Sequence, residues 1–149
     1  MALIVLLLLF AQARAHDPSG SVYCAQDGKA RRLSDFGAVT PIWSPDGRTI
    51  CYVQHTHDGD LFHLISPAGE LLQTIPLPSP LTVTGGIAWH PNGEVTFAAS
   101  QGESFDIYRL EPEGQAKLIM SDGIHPDWSL DGLLSFTTYR DSKALSRNR

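Results

Sequence analysis

A short block recurs three times in this chain: Pro-Ile-Trp-Ser-Pro-Asp-Gly at 41–47, Ile-Ala-Trp-His-Pro-Asn-Gly at 87–93 and Pro-Asp-Trp-Ser-Leu-Asp-Gly at 126–132. Each copy sets a tryptophan four residues before a glycine, and Trp43, Trp89 and Trp128 are separated by 46 and 39 residues. A repeat of that period marks one supersecondary unit that cannot bury its apolar face alone, so neighbouring units must stack. Trp43, Asp46 or Gly47 alone would suggest a site. Recurrence makes each of them, first, part of how one unit is built.

The first full unit shows the construction. Thr40 to Trp43 is a short first strand, and Ser44-Pro45-Asp46-Gly47 closes it with a turn. Proline presets φ, aspartate bonds to nearby amides, and glycine accepts positive φ without a Cβ clash. Thr49 to Gln54 alternates as a second strand, with Ile50 and Tyr52 on one face and Cys51 and Val53 on the other. Asp58-Gly59 is a hairpin signal. Asp60 to Ile65 makes the third strand, Pro67-Ala68-Gly69 a turn, and Glu70 to Leu77 the fourth. Four antiparallel strands per unit, at this period, describe a β-propeller blade, and the fold class is all-β. The second copy runs in the same register, with Trp89, Pro91, Asn92 and Gly93 at the turn, and Tyr108 following Trp89 by the same 19 residues that separate Phe62 from Trp43.

The ends read as partial copies. Ser21 to Ala25 matches a third strand and Gly28 to Asp35 a fourth, while Trp128 to Tyr139, with Asp131 and Gly132 in its turn, supplies only first and second strands. The expected layout is a half blade over 20–36, blades over 40–78 and 86–122, and a half blade over 125–139. Together these make about three blade equivalents within 16–141, followed by a polar tail at 142–149. Loops most free to vary are expected at Gln54 to Asp60, Pro78 to Gly86 and Ala99 to Ser104.

Residues 1–15 read as a secretory signal, with an apolar run from Leu3 to Phe10 and then Ala13-Arg14-Ala15, which places small residues where a signal peptidase cuts. The run is too short to cross a bilayer as a helix. A periplasmic or secreted protein is expected. Removal of the signal leaves a net charge of about −6 with no basic stripe, which repels phosphate backbones and excludes nucleic acid as the expected partner. Cys24 and Cys51 are the two cysteines. They read as unpaired, mostly buried thiols on neighbouring strands, with one bridge the alternative that export would allow.

The copies resemble the PD40 repeat, the WD40-like unit of TolB-type six-bladed propellers, through Trp43-Ser44-Pro45-Asp46-Gly47, the alternating Ile50 and Tyr52, and the strand carrying Phe62. The resemblance covers about residues 20–141. His90 and Asn92 replace the usual serine and aspartate in the second copy, and Leu130 replaces proline in the third. What the resemblance implies is an exported, non-enzymatic protein-binding or scaffolding module whose rim or central channel recognises another macromolecule. The alternative is the propeller fragment of a larger exported hydrolase of the prolyl oligopeptidase type. TolB proteins carry a further α/β domain and six blades, against three equivalents here. A truncated gene and a homodimer completing a six-bladed ring both account for that difference.

Candidate chemistry is sparse. His55, His57, Asp58, Asp60 and His63 lie within nine residues, and imidazole with carboxylate suits zinc-like ions. His55, His57 and Asp60 are the candidate ligands, but strand geometry separates them, and an exposed hairpin tip is the preferred reading, with no metal and no cofactor expected. Asp46, Asn92 and Asp131 read as turn residues and not as catalytic carboxylates, and the three tryptophans as packing between blades. His90 and His125 read as blade-edge polar residues. No G-x-S-x-G element, phosphate-binding loop or dinucleotide fingerprint occurs, so no catalytic residue is assigned and no enzyme is expected.

Overall fold

The computed structural model describes residues 20–35 and 37–138, all as strands and turns, and the proposed signal, Tyr139 and the polar tail lie outside them. Twelve strands follow in order. They are β1 (Tyr23–Gln26), β2 (Lys29–Arg32), β3 (Ala38–Trp43), β4 (Ile50–Thr56), β5 (Gly59–Ile65), β6 (Leu71–Pro76), β7 (Thr82–Trp89), β8 (Val95–Gln101), β9 (Ser104–Leu110), β10 (Ala116–Met120), β11 (Ile124–Trp128) and β12 (Leu134–Thr137). Hydrogen bonding divides them into two four-stranded sheets, β3-β4-β5-β6 and β7-β8-β9-β10, and two two-stranded sheets, β1-β2 and β11-β12. Every pairing is antiparallel. The fold is a partial β-propeller: two blades between two half blades, in a stack that does not close.

The two faces of β4 decide how the blades stack. Cys51 and Val53 join Phe62 and Ile75 against Val83, Ile87, Val95 and Phe97 of the following blade. Ile50 and Tyr52, one residue out of phase, join Ile65 against Val22 and Leu33 of the preceding half blade. Ala98 and Ile107 carry the same logic forward onto Ile124 and Phe136. Strict alternation along each strand therefore builds both blade interfaces from one sequence pattern. Phe62 and Phe97, both fully buried, meet at the main interface with ring centroids 4.9 Å apart.

Register ties the copies together residue by residue. Trp43 opposes Ile50, Trp89 opposes Val95, and Trp128 opposes Leu134. On the next ladder Val53 opposes Phe62, and Ala98 opposes Ile107, so Ile107 and not Tyr108 is the counterpart of Phe62, because the turn after Trp89 is one residue shorter than that after Trp43.

Two expectations about loops give way. Pro78 to Gly86 was expected as a variable loop, but β7 begins at Thr82. The Gly85-Gly86 pair lies within that strand and serves close packing. A Cβ on Gly85 would lie 2.9 Å from the Ile124 Cβ and 3.0 Å from the Ala98 Cβ, and Gly86 takes φ +94°. Strands also extend into the other two expected loops, leaving two-residue turns at His57-Asp58 and Gly102-Glu103.

Candidate functional site

The repeat turn is a self-contained hydrogen-bonded unit. The Ser44 hydroxyl donates to Asp46 Oδ1 at 2.7 Å and accepts from the Thr49 amide at 2.9 Å, while Asp46 Oδ1 also accepts from the Arg48 amide at 3.0 Å. Ser129 and Asp131 repeat this at 2.6 Å, with the Leu133 amide on Ser129 Oγ at 2.9 Å. The second copy reaches the same end with different groups: Asn92 and Glu94 bond to each other, and His90 Nδ1 accepts from the Asn92 amide. The Ser44 hydroxyl, followed by the Arg48 amide, holds the Asp46 carboxyl below its usual value, and the Ser129 hydroxyl does the same for Asp131. These carboxylates are committed to their turns.

Such turns hold a row of apolar side chains at one end of the blades. Between the first and second blades a groove of about 460 Å³ is lined by Pro45, Leu64, Leu72, Trp89 and Pro91 together with the polar Ser44, Asp46, Thr49, Gln73 and Asn92. Beside it a second groove of about 320 Å³ runs over Ile42, Trp43, Trp89, Pro91, Trp128 and Leu130. Trp43 is 49% exposed and Leu130 94% exposed. An apolar rim on a rigid frame is suited to a partner with apolar side chains of its own.

The tryptophans are not equivalent. Trp89 directs its indole N–H back to the Ile42 carbonyl of the preceding blade at 3.4 Å, and Trp128 directs its own back to Thr96 Oγ1 at 3.0 Å. Packing between blades therefore describes Trp89 and Trp128. It does not describe Trp43. Among the described residues, what precedes Trp43 is the β1-β2 half blade, which has no strands in the positions of β3 and β4, so that indole stays exposed and makes no hydrogen bond there.

The innermost strand of each unit carries a further repeated feature that sequence reasoning missed. Three residues before each tryptophan stand Thr40, Gly86 and His125, with φ of +50°, +94° and +51°. The ladders of β3, β7 and β11 shift register across these positions. Bulges of this kind re-aim side chains, and positive φ is costly for threonine, whose Cβ is branched. Gly86 is the signal a reader could have used. Thr40 and His125 give none.

The histidine hairpin divides in two. His57 and Asp58 form the exposed tip, as expected. Asp60 and His63 do not belong to an exposed tip: Asp60 is 5% and His63 9% exposed. Asp60 Oδ1 takes His55 Nδ1 at 2.7 Å, and Oδ2 accepts from the Val83 amide of the next blade at 2.7 Å. His63 is held between Thr74 Oγ1 and Gln54 Oε1, each at 2.9 Å, and burial lowers its pKa. Both carboxylate oxygens of Asp60 thus have partners already. Among the described residues no three His, Cys, Asp or Glu side chains converge as a metal site would need. His90 does more than edge a blade, since its ring meets Trp128 edge-on at 4.4 Å.

Cys24 and Cys51 are both free thiols. They do not lie on neighbouring strands: β1 belongs to the first half blade and β4 to the blade after it. Cys51 is fully buried, and burial pushes its thiol up to about 12, so it is inert at neutral pH. Cys24 is half-buried.

No protein-family model matches the sequence, and no curated protein does. Among solved structures the chain is similar to TolB from Acinetobacter baumannii, with a TM-score of 0.64 and 23% identity over 82% of this chain and 33% of that one. It is also similar to regucalcin, a calcium-binding protein from Agrobacterium tumefaciens, with a TM-score of 0.53 and 18% identity over 91% of this chain and 50% of that one. At these identities the likeness is one of fold. The chain spans about a third of the TolB chain and half of the regucalcin chain.

Proposed function

We propose that this chain is an exported, non-enzymatic propeller module that binds another protein through the rim formed by its repeat turns. The observation that carries the reading is the apolar row of Pro45, Trp89, Pro91 and Leu130, exposed at Pro45 and Leu130 and half-buried between them, presented by internally bonded turns. Rigid presentation lowers the ordering cost of binding, and aromatic side chains in such rows are the usual anchors of a protein interface. Charge supports a protein partner and disfavours nucleic acid, because the chain is net acidic. Export rests on the sequence of residues 1–15. The fold likeness to TolB is in keeping with a binding role.

A photo-crosslinking residue at Leu130, introduced in the native cell, tests the reading. One discrete adduct with a chain other than this one is expected at Leu130, and none at Asp58 on the hairpin tip. No adduct at the rim would contradict the proposal, as would labelling of the purified chain by an active-site serine probe.

A further inference from the structure

We propose that two copies of this chain join through composite blades, β12 of each copy pairing antiparallel with β1 of the other. The inference rests on the reading of the chain as a protein-binding module and names a second copy as one partner. Register supplies the argument. Leu134 occupies the position of Ile50 and Val95, since each opposes the repeat tryptophan, which makes β12 a second strand of a blade. The Leu33 amide bonds to the Val22 carbonyl as the Leu77 amide bonds to the Asp60 carbonyl, which makes β1 a third strand. Among the described residues β1 pairs in a ladder only with β2, and β12 only with β11. Each half blade therefore offers the open edge that the other lacks, and open edges recruit strands.

Two further observations select this occupant. Trp43 lacks the backward hydrogen bond that Trp89 and Trp128 make. In the composite blade the second copy brings the Asp127 carbonyl to the position of the Ile42 carbonyl, and the Ser135 hydroxyl to that of Thr96 Oγ1. Both kinds of acceptor used elsewhere in the chain are thus supplied to Trp43. Next, Gln73 of β6 reaches the Pro112 carbonyl in the turn of the following blade. Lys117 stands at the equivalent register of β10, and the turn it would face in the second copy contains Asp27, a complementary charge. A two-fold assembly makes both junctions at once and leaves no blade half built.

The register also fixes the test. Val53 opposes Phe62 and Ala98 opposes Ile107, so Thr137 of one copy should oppose Cys24 of the other. Directly opposed antiparallel residues hold their Cα atoms about 4.5–5.5 Å apart, within reach of a disulfide. Light scattering on the purified full chain should give twice the monomer mass through the micromolar range. Mild oxidation of the Thr137→Cys variant should give a reducible dimer, lost when Cys24→Ala is added. Cys51 is too deeply buried to compete. A monomer at all these concentrations overturns the proposal, and so does a dimer in which the Thr137→Cys variant forms no cross-link to Cys24. Either failure leaves rim binding standing, because the Leu130 adduct that it predicts is with a chain of another mass.

Discussion

Trp128 donates its indole N–H to Thr96 Oγ1 at 3.0 Å, across the boundary between the second blade and the half blade that follows. Thr96 is 1% exposed. A hydroxyl at that depth would be costly without a partner, and the indole gives it one. Thr96→Val keeps the shape and removes the acceptor. The variant should lose about 1–2 kcal/mol, read as a lower denaturant midpoint with an unchanged slope.

Asp60 works as a bolt between blades. Its carboxylate joins His55 of β4 to the Val83 amide of β7 while nearly excluded from solvent. Asp60→Ala strands the Val83 amide and should cost about 2–3 kcal/mol in urea unfolding. His55→Ala should cost less, because that imidazole is 46% exposed.

Thr40 holds φ of +50° in a position where the next repeat places glycine. Left-handed backbone costs a side-chain-bearing residue about 1–2 kcal/mol, and glycine gives part of that back through its freer unfolded chain. Thr40→Gly should raise the melting temperature, with a net gain of up to about 1 kcal/mol. A lowered melting temperature would show that the threonine side chain contributes more than its backbone costs.

How much of this was legible in the sequence follows from which residues act locally. The turns at Ser44 to Thr49 and Ser129 to Leu133 were readable because their partners lie within five residues. The two faces of β4 were readable because alternation is a local pattern. Asp60 was not, since its decisive partner Val83 is 23 residues away. Nor was the exposure of Trp43. Three tryptophans in equivalent repeat positions look alike in sequence, and only the neighbouring sheet distinguishes one from the other two.

The turn carboxylates set an acid limit. Asp46 and Asp131 each have a pKa held below the usual 3.8 by a serine hydroxyl. Groups lowered on folding stabilise the native state above their unfolded pKa, and this contribution disappears as pH falls through the folded value. Stability should therefore drop on acidification below about pH 4. Asp46→Asn with Asp131→Asn should flatten that drop, as followed by urea midpoints across the acid range.

The exchange rates of the three indole N–H groups, followed by NMR as the protein is diluted, test most directly whether each blade is locked to the one before it through its tryptophan. Trp89 and Trp128 should remain slow at every concentration, while Trp43 should be slow when copies are joined and fast once dilution separates them. Equal exchange at all three indoles, unaffected by dilution, would contradict the account.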